Sequence, residues 1–210
     1  MDDYAVYEAR IEIVDFLIEA FWDVPGEEFV AELLDGDLRF PEDGVNEHLD
    51  EGFDRLRTFV EENRARDPAA VQEELETEYT TVFVGPRPPV LAHETYYRED
   101  TDFIGEGLAD VEASYAAAGW NPPEDYGEEN DFIAVELAFL RYLIGLQRDG
   151  HEEAFGYERV FIDEHLSTWV EEFHADVSDE TDEDLYRAAA SLFLGLVEFE
   201  DEIVAQMVAG

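Results

Sequence analysis

Apolar side chains recur three and four residues apart along nearly the whole chain, and no stretch alternates with the β-branched bias of a strand. That periodicity confines the chain to packed helices. Tyr7, Ile11, Val14, Ile18 and Phe21 form one stripe, with Glu8, Glu12, Asp15 and Glu19 opposite. Asp23 and Pro25 punctuate the start of a short second helix that ends near Gly36, and Leu49, Phe53, Leu56 and Val60 define a third. Asp67-Pro68 reads as the N-cap and first residue of a fourth, with Val71, Leu75, Tyr79 and Val82 inward and Gly85-Pro86 stopping it. Pro86, Pro88 and Pro89 exclude a helix over residues 85–101, and so long a loop in a helical domain is a functional candidate.

Ile104, Leu108, Val111 and Tyr115 form a fifth helix, ended by Gly119 and Pro122-Pro123. Residues 132–146 are apolar on almost every face, interrupted by Glu136 and Arg141, and are predicted to be the central buried helix. Ile162, Leu166, Trp169 and Phe173 define a seventh helix, and residues 182–208 the last, with Leu185, Leu192, Leu196 and Phe199 inside. The expectation is an all-α, single-domain bundle of about eight helices over residues 1–210, with a long loop near residues 85–101.

Composition decides what such a bundle can do. The 210 residues carry 56 Asp and Glu against 12 cations, all arginine, for a net charge of -44. The hydrophobic fraction of 46% and aromatic fraction of 13% supply a core and argue against disorder. Without lysine there is no Walker-A or Schiff-base chemistry; without cysteine there are no disulfides, thiolate nucleophiles, zinc-thiolate sites or iron–sulfur ligation. So acidic a chain is repelled by nucleic acid and by anionic membranes. At molar salt the Debye length is about 3 Å, which screens the self-repulsion of the acids and points to a halophilic cytosol. Met1-Asp2-Asp3-Tyr4 is acidic where a secretory leader is basic, and no run is long and apolar enough to span a membrane. A soluble, cytoplasmic protein is expected.

No catalytic motif stands out. Glu171 and His174 form one Glu-x-x-His, whereas a bundle di-iron site needs two such motifs and two further glutamates. Asp163, His165 and Ser167 lie close in sequence, but no serine sits in a nucleophile elbow. Neither cofactor, metal nor catalytic set is expected. His165 and Trp169 are read as structural. Two regions stand apart: Tyr79 through Pro86 continuing to His93-Glu94-Thr95-Tyr96-Tyr97, and Glu128-Glu129-Asn130-Asp131-Phe132 at the mouth of the most apolar helix. Core aromatics followed by a turn, and acids capping a positive helix N-terminus, are the plain accounts of the two.

In this order, the segments resemble the TorD/DmsD family of redox-enzyme maturation chaperones, related to NarJ-type proteins. The family's aromatic residue followed by Leu-Phe-x-Gly-Pro corresponds to Tyr79 and Val82-Phe83-Val84-Gly85-Pro86. Its proline-rich loop and following motif correspond to Glu94-Thr95-Tyr96-Tyr97, and its Glu-Pro-(Glu)-Asp-His opening a long apolar helix corresponds to residues 128–132. His165-Leu166-x-x-Trp169 and Leu185-Tyr186-Arg187-Ala188 match further segments, so the resemblance spans roughly residues 75–200. Phe132 stands where the family usually has histidine and Glu129 where proline is common; Asp131 is retained.

The resemblance implies a non-catalytic cytoplasmic chaperone. Its partner would be the apo form of a molybdopterin-dependent reductase of the dimethyl sulfoxide, trimethylamine oxide or nitrate type, or that enzyme's twin-arginine signal peptide, held until cofactor insertion is complete. Partner-binding residues carried over by the resemblance are Tyr79, Val82, Phe83, Gly85, Pro86, Glu94, Tyr97, Glu128, Asp131 and Phe132, of which Tyr79, Phe83, Glu94, Tyr97 and Asp131 are expected to converge on one partly open surface. The alternative is a helical metal- or nucleotide-dependent hydrolase using acids around Asp131; a regulatory module without a redox client is a third reading.

Overall fold

The computed structural model describes residues 3–36, 40–41, 44–98, 104–123 and 127–208. Side chains at 3, 104–106 and 208 are outside that description, so Ile104 is placed only by its backbone, and the end of the expected loop, residues 99–101, lies outside the described residues. The chain is all-α: α1 Asp3–Phe21, α2 Glu27–Asp35, α3 Glu47–Asn63, α4 Pro68–Tyr79 with a widened π turn at Thr80–Val84, the single turn α5 Glu94–Tyr97, α6 Ile104–Ala117, α7 Ile133–Arg148, α8 Glu153–Glu164, a 3-10 turn Leu166–Thr168, α9 Val170–Glu180 and α10 Asp184–Val208. None of these helices is long and apolar enough to cross a membrane.

The chain divides into two compact units. The first takes Met1–Ile18, Ala92–Glu171 and Leu196–Gly210; the second takes Glu19–Leu91 and Glu172–Gly195. At the centre of the first lies α7, whose Ile133, Ala134, Val135, Leu137, Leu140, Leu143 and Ile144 are fully enclosed, as an all-round apolar helix requires. Phe139 packs edge-on to Phe161 of α8 and tilted against Tyr115 of α6.

In the second unit the helix starts follow local chemistry. Asp67 accepts from the Ala69 amide with Pro68 behind it, and Asn46 Oδ1 accepts from Leu49 N–H at 2.8 Å. Asn46 Nδ2 also donates to the Gly195 carbonyl at 2.8 Å. That contact is possible because α3 and α10 approach closely at glycine: a Cβ on Gly52 would strike Leu192, and one on Gly195 would strike Leu49. Gly36 ends α2 in the left-handed region, at φ 80°.

Five expectations are corrected. The buried side of α3 is Leu49, Gly52, Leu56 and Phe59, with Phe53 and Val60 only half-buried, because the glycine approach to Leu192 rotates the contact face. In α1, Arg10 and Leu17 are buried while Ile18 is half-buried, and in α10 Glu200 takes the inward place expected of Phe199. Charge pairing drives both exchanges, since Arg10 and Glu200 bury each other. The expected seventh helix is two, α8 and α9, broken at His165. The loop after Gly85 contains the helical turn α5, because the last proline is Pro89 and residues 94–97 are free to take helical dihedrals.

Candidate partner-binding site

The expected site residues fall in both units. In the second, α4 runs into the π turn and delivers Tyr79, Val82 and Phe83. Tyr79 is buried, and its hydroxyl donates to the Phe21 carbonyl at 2.9 Å. Phe83, half-buried, packs on Tyr79, Phe21 and Tyr186 with ring centroids 5.2, 5.9 and 5.6 Å away. The Tyr186 hydroxyl donates to the Leu75 carbonyl at 2.9 Å, and burial pushes that phenol well above its ordinary pKa. Val82 is enclosed, and its carbonyl accepts from the Val90 amide at 3.2 Å, folding the proline segment back. Gly85 is partly open, Pro86 is exposed, and Val84 stands 60% exposed beside them.

In the first unit, the rest of the loop zips along the mouth of α7. Ile133 N–H donates to the Ala92 carbonyl at 2.9 Å and Glu94 N–H to the Asp131 carbonyl at 3.1 Å, with His93 and Phe132 forming an isolated antiparallel bridge. The Asp131 side chain fixes the turn from below. One oxygen accepts from His93 Nδ1 at 3.1 Å, and the other accepts from the Thr95 amide at 3.2 Å and the Thr95 hydroxyl at 2.5 Å. Burial would raise this carboxyl, but the bonds from His93 and Thr95 outweigh it and hold its pKa below the ordinary value. Asp131 therefore caps α5 across 36 residues of sequence.

Glu94 is fully buried. It accepts from Arg98 Nη1 at 2.9 Å, and both its oxygens lie 3.1 Å from His165 Nδ1. With Nδ1 facing Glu94, the other ring nitrogen, Nε2, pairs with the Ser114 hydroxyl 2.9 Å away. Glu136, beneath them, accepts from Trp169 Nε1 at 3.3 Å, and its other oxygen meets no donor. Burial first, then the charge of the neighbouring Glu94, pushes its pKa well above the ordinary value. Tyr97 stacks on Trp169 with centroids 5.6 Å apart.

The nominated residues thus differ in access. Phe132 is buried against His93, Tyr97 is half-buried, and Glu128 is exposed with a carboxylate oxygen 3.8 Å from His93 Nε2. Sequence reasoning overlooked Glu136 as a member of this cluster, although a lone acid inside an otherwise apolar helix was its signal. His165, read as structural, proves to be the link between Glu94 and α6. Among the described residues no group of three or more His, Asp or Glu could hold a metal ion, and both Asp131 oxygens are committed to His93 and Thr95.

A family model described as "Nitrate reductase delta subunit" matches residues 42–175, which include the loop, the mouth of α7 and His165. The chain belongs to that family. It is similar to the chaperone protein TorD of Vibrio atlanticus (strain LGP32), 27% identical over 169 residues, covering 77% of this chain and 78% of the relative. It is also similar to TorD of Vibrio cholerae serotype O1 (strain O395), 24% identical over 207 residues and covering 96% and 94% of the two chains. The same identity holds over 209 residues for V. cholerae strain M66-2. These relatives are named as chaperones and not as enzymes, which speaks against the hydrolase reading of Asp131.

Proposed function

We propose that residues 1–210 act as one cytoplasmic chaperone domain. It holds the apo form of a molybdopterin-dependent reductase of the dimethyl sulfoxide, trimethylamine oxide or nitrate type, through its twin-arginine signal peptide or its mature domain, until the cofactor is inserted. The observation that carries this reading is the family match, which encloses both halves of the loop that the sequence singles out. Access divides the labour among its residues. Tyr79, Val82, Glu94, Asp131 and Phe132 are buried and hold the segment in shape. A partner can touch Phe83, Gly85, Pro86 and the more exposed Val84 in the second unit and, separately, Tyr97, Glu128 and the more exposed Tyr96 in the first.

In a halophilic cytosol, which the charge of -44 favours, screening weakens exposed ion pairs, so apolar contact carries most of the affinity. Co-expression of the tagged chain with an apo-reductase subunit, followed by purification in molar KCl, should recover both. Titration with a twin-arginine signal peptide then separates signal binding from mature-domain binding. Recovery of the chain alone, whether the subunit is apo or cofactor-loaded, removes the reading.

A further inference from the structure

Between Glu78 and Glu94 lies the longest stretch of the sequence without an acid, in a chain where 56 of 210 residues are Asp or Glu. The next two such stretches, residues 185–197 of α10 and 137–148 of α7, are largely enclosed, where an unpaired acid would be costly. Burial does not explain the first: Thr80, Thr81, Val84, Pro86, Arg87 and Pro89 are exposed. Phe83 anchors the start of this segment on Phe21, Tyr79 and Tyr186, and the bond from the Val90 amide to the Val82 carbonyl closes residues 83–89 into a loop. Its three prolines stiffen it and lack amide hydrogens, so a partner meets side chains there and cannot add a strand. Nine of the described arginines pair with carboxylates. Among the described residues, Arg87 has no carboxylate partner, and neither has Arg64, which sits in sequence between Glu62 and Asp67.

We propose that the loop of residues 84–89 is a contact surface for an apolar client segment that carries a carboxylate, with Arg87 as its counter-ion; the proposal rests on the chaperone reading above. On a chain of net charge -44, an exposed segment free of acids is where an acid-bearing partner can approach without meeting like charge. Val84, Pro86 and Pro89 offer apolar contact, and the guanidinium offers paired N–H donors that match a carboxylate. Because the loop is tied at both ends before a partner arrives, little order is lost on binding. The same cation opposes a segment that presents arginine. In molar salt only charges in contact still attract, so Arg87 selects at short range while the apolar side chains carry the affinity.

The test uses a purified apo-reductase subunit binding to the immobilised full chain in molar KCl. Arg87→Glu should weaken binding about tenfold or more, since it sets like charges against each other. Arg64→Glu, an equal change of net charge at an exposed arginine outside the loop, should leave binding unchanged. Circular dichroism should be the same for both variants, because neither side chain is packed. A photo-crosslinker at position 84 should join a subunit segment that contains Asp or Glu. Changing that acid to arginine should weaken binding to the parent chain and restore binding to the Arg87→Glu variant. Parent affinity in Arg87→Glu, an equal loss in Arg64→Glu, a crosslink at the arginine pair of the signal peptide, or no rescue by the exchanged charges overturns the loop proposal. In each of those cases the parent chain still holds the subunit, so the chaperone function stands. If the parent chain does not hold it, both fall.

Discussion

Arg10 and Glu136 sit in two buried polar clusters of the same unit, and the clusters are built on opposite terms. Around Arg10 the cation is central: its guanidinium donates to Glu200 Oε1 at 2.8 Å, Gln147 at 3.0 Å and Glu158 at 3.1 Å, and Gln147 donates in turn to Glu158. The cluster ties α1, α7, α8 and α10 together. Burial and the nearby Glu200 still push Glu158 well above its ordinary pKa, with Arg10 pulling against them. Around Glu136 the cation, Arg98, is at the margin and bonds to Glu94, leaving one Glu136 oxygen without a donor. The first cluster is built around a cation; in the second, burial and the neighbouring Glu94 disfavour the ionised form of Glu136. The difference follows from what each holds: four helices in one case, a proline-bounded loop against a helix mouth in the other.

Substitutions can break or sharpen that contrast. Arg10→Met should have the largest effect, about 3–5 kcal/mol of unfolding free energy, because it strands Glu158 and Glu200 in the interior without their cation. Denaturant titration in molar KCl measures it, and a loss under ~1 kcal/mol would mean that charge balance is not what holds this cluster. Glu94→Ala should cost about 1–3 kcal/mol, by removing the acceptor of both Arg98 and His165. Hydrogen exchange should localise that loss to α5 and the 3-10 turn, sparing α1.

Asp131→Asn comes next, at roughly 1–2 kcal/mol, since an amide keeps part of the cap but loses the charge-assisted bonds. Because Asp131 titrates below its ordinary value of 3.8, its contribution is present above that pH and disappears as pH falls through the folded value. The Asn variant should therefore lose less stability on acidification than the parent.

Glu136→Gln should be smallest, under ~1 kcal/mol near neutrality, as glutamine keeps the shape of the carboxyl and removes a charge that burial disfavours. Its sign with pH is the reverse of that at Asp131. A carboxyl raised above 4.5 contributes fully below that pH, and the contribution drains away as pH rises through the folded value. Thermal melts across this range should slope downward for the parent and be flatter for the Glu136→Gln variant. An unchanged slope would show that Glu136 is ionised and otherwise paired.

Much of the architecture is legible in residue spacing. The Asp67-Pro68 start, the Gly36 stop and the all-apolar α7 are local statements, and the backbone obeys them. The break at His165 is not legible, since neither glycine nor proline marks it. It is made by a ring that must reach Glu94, 71 residues earlier, and Ser114, 51 residues earlier. Likewise α5 follows a run of prolines and is capped by Asp131 from outside its own segment.

By itself, then, the sequence determined the helical class, the position of the central helix, the exclusions that follow from having no lysine or cysteine, and the motif order that marks the family. These are properties of period, composition and short-range sterics, which act over a few residues. Only the tertiary structure decided which of the 56 acids lie inside and which of the nominated site residues a partner can reach. An isolated carboxylate gains nothing from burial. Glu94, Glu136, Glu158 and Glu200 are enclosed because distant helices bring each a guanidinium, an imidazole or an indole, and that supply is invisible until the chain has folded.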